Sequence, residues 1–133
     1  MTIHRKILGA ATVLAALALV ATPAAADPPV TCITSASLPI GDGNYIYSKS
    51  TLTCPTGYGL IAASVTSRVQ EKVSLVWTTR ATGTAGGSTI TVSKTTSYYC
   101  NGHGTDSWRT SGTGTDNYSR TSSSTSNAVS LTC

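Results

Sequence analysis

Residues 89–100 read TITVSKTTSYYC. Ile90 and Val92 alternate with Thr89, Thr91 and Ser93, and further on Tyr98 and Cys100 share a face. In a strand, successive side chains point to opposite faces, so this period of two writes an apolar side and a hydroxyl side. Threonine and valine are β-branched and suit a pleated, half-buried surface. The stretch therefore predicts a strand that runs into a cysteine.

The same pattern recurs on both sides. Val30 and Cys32 alternate with Thr31, and Leu52 and Cys54 with Thr53. Val73, Leu75 and Trp77 share one face, with Ser74 and Val76 on the other, which places Trp77 in a core. Val129, Leu131 and Cys133 close the chain in the same way. Leu60 to Val69 is a longer run, opening Leu60-Ile61-Ala62-Ala63-Ser64-Val65, and reads as a more buried strand, or as the one place for a short helix. Turn chemistry falls between these runs. Gly41-Asp42-Gly43-Asn44 joins Leu38-Pro39-Ile40 to Tyr45-Ile46-Tyr47 as a hairpin. Pro55-Thr56-Gly57 follows Cys54, and Asn101-Gly102 follows Cys100. The glycine-rich stretch 82–87 predicts a hairpin of Val73–Thr79 with Ser88–Thr96. Residues 104–127 are polar and read as a long loop or as two weak strands around a turn. About seven or eight short strands make an all-β fold, a small antiparallel β-sandwich or open barrel.

The first 26 residues read as a signal peptide. His4, Arg5 and Lys6 are basic, Ile7 to Val20 is apolar and uncharged, and Ala24-Ala25-Ala26 offers a cleavage site before Asp27. That apolar run is shorter than the roughly 20 residues a spanning helix needs. The expected product is a secreted, extracellular single domain, 27–133, without a membrane span. It keeps seven basic and five acidic residues, a net charge of +2. So small a charge gives no electrostatic case for nucleic acid or an anionic membrane. Val, Ile, Leu and Phe number 17 of these 107 residues, a thin supply for a core. Covalent staples are expected to make up the difference.

Four cysteines, an even count in a secreted chain, predict two disulfides. Thr51-Leu52-Thr53-Cys54 and Ser130-Leu131-Thr132-Cys133 are nearly one tetrapeptide, and each closes a cysteine-bounded segment. This echo favours Cys32–Cys54 with Cys100–Cys133. Loops of this length are each worth about 3–4 kcal/mol in the chain-entropy picture.

Candidate chemistry is sparse. His103 is the one histidine of 27–133, in Asn101-Gly102-His103-Gly104-Thr105-Asp106-Ser107. A hydrolase triad draws its members from separate elements, whereas these three lie within five residues. His103 with Asp106 supplies at most two metal ligands. Asp42 with Asn44 reads as turn chemistry before calcium chemistry. Asn117-Tyr118-Ser119 is a formal glycosylation sequon. No catalytic residue, metal or cofactor is expected. The aromatic residues say more. Tyr45 and Tyr47 flank Ile46, so a buried Ile46 leaves the two tyrosines as a surface pair. Trp108-Arg109 stands in the polar stretch, where the tryptophan either covers the edge of the core or anchors a partner. Exposed Tyr, Trp and Arg anchor interfaces and stack on sugars.

Tyr98-Tyr99-Cys100, with Trp77 upstream, resembles the tyrosine corner of immunoglobulin domains, which implies a sandwich. The whole chain, signal included, resembles small secreted two-disulfide β proteins of actinobacteria. Size and cysteine count are similar to those of the subtilisin-inhibitor family. Ser107-Trp108-Arg109-Thr110 is similar to the exposed Trp-Arg-Tyr turn of the proteinaceous α-amylase inhibitors, with Thr110 in place of the tyrosine. That similarity implies recognition through Trp108 and Arg109. The expectation is a non-enzymatic, monomeric binding or inhibitor-like protein for an extracellular protein or carbohydrate, through Trp108, Arg109, Tyr45 and Tyr47. The alternative is a structural or surface-associated protein without a discrete ligand.

Overall fold

The computed structural model describes residues 31–55 and 62–133. The expected signal peptide, Val30, the Thr56-Gly57 turn and the Leu60-Ile61 start of the apolar run lie outside them. Nine strands and no helix are present among the described residues: β1 (Ile33–Ala36), β2 (Ile40–Gly41), β3 (Tyr45–Thr53), β4 (Ala63–Val73), β5 (Val76–Gly87), β6 (Thr91–Tyr99), β7 (Thr105–Thr115), β8 (Thr121–Thr125) and β9 (Val129–Thr132). All pairings are antiparallel. One sheet sets β3 between β6 and the β1/β2 edge; the other runs β5-β4-β7, with β8 and β9 both along β7. The two stack as an all-β sandwich that does not close into a barrel.

The predicted hairpin of Val73–Thr79 with Ser88–Thr96 does not form. β4 turns at Ser74-Leu75 and pairs with β5, Val73 opposite Val76 and Ala63 opposite Gly87. Residues 82–87 are strand, and β6 belongs to the other sheet. Of the glycines there, Gly83 serves close packing: a Cβ on it would come within 2.5 Å of Lys94 Cε and 2.6 Å of Thr96 Oγ1. Trp77, expected in the core, is half-buried on β5. Residues 104–127 take the two-strand form, with Asp116 organising the turn. Its Oδ1 accepts the amides of Tyr118 and Arg120, each at 2.9 Å.

Each end of the sandwich carries an apolar cluster with a disulfide in it. Cys32–Cys54 sits with Leu52, Ala63, Val65 and Val92. Cys100 of Cys100–Cys133 sits with Ile46, Val69 and Trp108, and Cys133 packs against them. The pairing is the one the repeated tetrapeptide favours. Between the clusters the core is made of hydroxyls. Along β3 the inward residues are Ile46, Ser48, Ser50 and Leu52; along β4 they are Val65, Ser67 and Val69. Ser50 Oγ donates to Ser67 Oγ at 3.1 Å, Ser67 Oγ to the Ser48 carbonyl at 3.2 Å, and Thr96 Oγ1 to the Ser67 carbonyl at 3.1 Å. These bonds offset the cost of taking hydroxyls out of water. Small residues also let the sheets approach: a Cβ on Gly112 would lie 2.5 Å from Ser50 Oγ, and on Gly114 2.5 Å from Leu52 Cδ1.

Candidate binding face

The antiparallel order gathers three connections at the Cys100–Cys133 end: turn 42–44, the β4–β5 apex at 74–75 and loop 100–104. Cys100 N–H donates to the Asn44 carbonyl at 2.9 Å, which ties two of them together. Exposed Ile40, Tyr45, Val73, Leu75, Val76 and Tyr99 all lie at this end.

The expected tyrosine pair forms and gains a member. Ile46 is fully buried, so Tyr45 and Tyr47 face outward from β3. Tyr99 stands opposite Tyr45 on β6, and their ring centroids are 5.1 Å apart at 61°. Tyr45 and Tyr47 are 6.0 Å apart at 34°. Register places Ile40 beside Tyr47 on the same surface. The Tyr98-Tyr99 doublet held this third ring in plain sight: alternation sends one tyrosine inward and the next outward.

Polar groups fix the face. Asp42 Oδ1 accepts the amides of Asn44 at 2.9 Å and Tyr45 at 2.8 Å, and Oδ2 accepts the Tyr47 hydroxyl at 2.8 Å. The Asn44 amide, then that of Tyr45, holds the Asp42 carboxyl below its ordinary value. The same carboxylate raises the Tyr47 phenol above its own. The Tyr47–Asp42 bond thus persists from below the usual carboxylate range to above the usual phenol range. Asn101 Nδ2 donates to Tyr99 Oη at 3.2 Å.

Trp108 and Arg109 separate, because adjacent residues of a strand diverge. Trp108 is fully buried on β7, 5.8 Å from the Tyr98 ring, so recognition through an exposed Trp108 has no geometric basis. Arg109 faces outward, 4.3 Å over the Trp77 ring, and its Nε donates to Gln70 Oε1 at 2.8 Å. The segment reads as a loop from composition, yet Trp108 occupies a regular inward position.

His103 has a neighbour that local spacing hides. Its Nδ1 lies 3.7 Å from Glu71 Oε1 on β4 and 4.0 Å from Asp106 Oδ2. Glu71 is buried, and its Oε2 accepts Arg80 Nε at 2.5 Å. Arg80 is the extra residue of a bulge, since Gln70 pairs with Thr79 but Val69 with Ala81. Glu71, His103 and Asp106 could ligate a metal ion, although Arg80 already balances Glu71. Asp106 and Ser107 point to opposite faces of β7, so His103, Asp106 and Ser107 do not converge as a triad.

Among the described residues, no helix is long and apolar enough to cross a membrane. No protein-family model matches the chain, and no curated protein matches it either.

Proposed function

We propose that the chain is a secreted, non-enzymatic binding protein that takes an extracellular carbohydrate or protein on the face of Tyr45, Tyr47 and Tyr99. The observation that carries this reading is the tyrosine cluster on the solvent side of β3 and β6. Tyrosine offers a large amphipathic contact surface with few rotatable bonds, and it anchors both interfaces and sugars. The hydrogen bond that Tyr47 donates to Asp42 and the one that Tyr99 accepts from Asn101 place two of the hydroxyls in advance, which lowers the ordering cost of binding. Two disulfides suit an oxidising, extracellular setting.

The burial of Trp108 supports a second reading, a surface-associated protein without a discrete ligand. The two separate in one comparison. Immobilised parent protein and the double variant Tyr45→Ala/Tyr99→Ala are exposed to cell-wall polysaccharide and to secreted material of the producing organism. A ligand held by the parent and released by the variant, with a loss of about 2 kcal/mol or more, supports the tyrosine face. No retention by either supports the second reading, and equal retention by both overturns the tyrosine face as the site.

A further inference from the structure

The β4–β5 apex is the least expected surface in the molecule. Val73 pairs with Val76, leaving Ser74 and Leu75 as a two-residue turn with Ser74 at φ 57°. Such turns favour Gly, Asn or Asp, which reach positive φ cheaply and keep the apex polar. Here the apex is apolar. Leu75 is 88% exposed, Val76 66% and Val73 41%. Leu75 contributes almost nothing to its own core, so folding gives no reason for it to stand there.

The side chains behind the apex are ordered. Lys72 and Trp77 face each other in the first outward row. Arg109 lies over Trp77 from the neighbouring strand, bonded to Gln70 in the next row. The hairpin's carboxylate, Glu71, alternates to the inner face, where Arg80 takes it. From the apex inward the order is hydrocarbon, then an indole with an ammonium, then a guanidinium. A bilayer surface presents the complementary order: acyl chain, interface, phosphate. At about 3.3 Å per strand residue, apex and first row span the outer few ångströms that interfacial anchors occupy.

We propose that the hairpin tip Val73–Trp77 is an interfacial anchor for anionic lipid, with Leu75, Val73 and Val76 entering the acyl boundary and Lys72 and Arg109 meeting phosphates. A net charge of +2 does not exclude this, because Lys72 of the hairpin and Arg109 of adjoining β7 stand on the same outer face beside Trp77. The anchor uses different side chains from the tyrosine face and stands apart from that reading.

The test is co-sedimentation of the disulfide-bonded protein with phosphatidylcholine vesicles, with and without phosphatidylglycerol, while tryptophan emission is followed. Trp108 is buried and gives a constant background, so a blue shift reports Trp77. Binding is expected with phosphatidylglycerol at low salt, weakening as salt screens the cations. Leu75→Asp is expected to weaken it about tenfold or more, and Lys72→Glu severalfold, with thermal unfolding unchanged because both residues are exposed. Tyr45→Ala/Tyr99→Ala is expected to bind vesicles like the parent, which keeps the two sites distinguishable. No sedimentation with anionic vesicles, the result for an apex that fits only a protein pocket, overturns the proposal. So does Leu75→Asp binding like the parent.

Discussion

Replacing Trp108 by Ala would leave a void against Ile46, Val69 and Cys100 in a cluster with few other members. A loss of about 3–5 kcal/mol is expected, measured by denaturant unfolding beside the parent. Trp108→Phe should lose less, since Trp108 Nε1 is buried with no hydrogen-bond partner among the described residues and phenylalanine removes that orphan donor. A loss below about 1 kcal/mol for the alanine variant would show that the ring is not part of the core, which would return Trp108 to the list of contact residues. Trp77 is the counterpart. It is half-buried on the outer face, with the Arg109 guanidinium 4.3 Å over its ring, so its replacement by Ala is expected to cost less than that of Trp108.

The glycines of β7 belong to the scale of elements, because they set how near two sheets come. Gly112→Ala would drive a Cβ to 2.5 Å from Ser50 Oγ and 2.8 Å from Ser50 Cβ. The strands must part, at about 1–3 kcal/mol. Gly86→Ala, with its nearest neighbour the Ala63 carbonyl at 3.6 Å, should cost nothing and even stabilise slightly. Unfolding midpoints of the two variants check this, and equal midpoints would contradict close sheet approach at β7. The same glycines explain what the sequence hides. Alternation made the strands around Leu52, Val92 and Leu131 legible, the repeated tetrapeptide gave the disulfides, and Ile46 oriented Tyr45 and Tyr47. Partnering of strands was not legible. Gly83, Gly86 and Gly87 look like turn residues but lie in β5, while the true apex, Ser74-Leu75, carries no turn signal and continues the alternation of Val73 and Trp77. Glu71 meets His103 only because the chain folds back through two sheets.

For the whole molecule, the disulfides hold opposite ends of the sandwich and the middle is left to serine, threonine and glycine. That division has a calorimetric consequence. The heat capacity of unfolding grows with hydrocarbon newly wetted and falls with polar surface newly wetted. A core whose central layer is Ser48, Ser50, Ser67, Thr96 and Thr110 wets little hydrocarbon when it opens. The expected increment is below the ordinary value of about 12–15 cal/mol/K per residue. Scanning calorimetry of the oxidised protein reads it directly, and an ordinary increment would mean that the hydroxyl layer is not what unfolding exposes. A small increment flattens the dependence of stability on temperature. The fold would then gain little by cooling and lose little by warming, so a modest free energy of folding would extend over an unusually wide span of temperature.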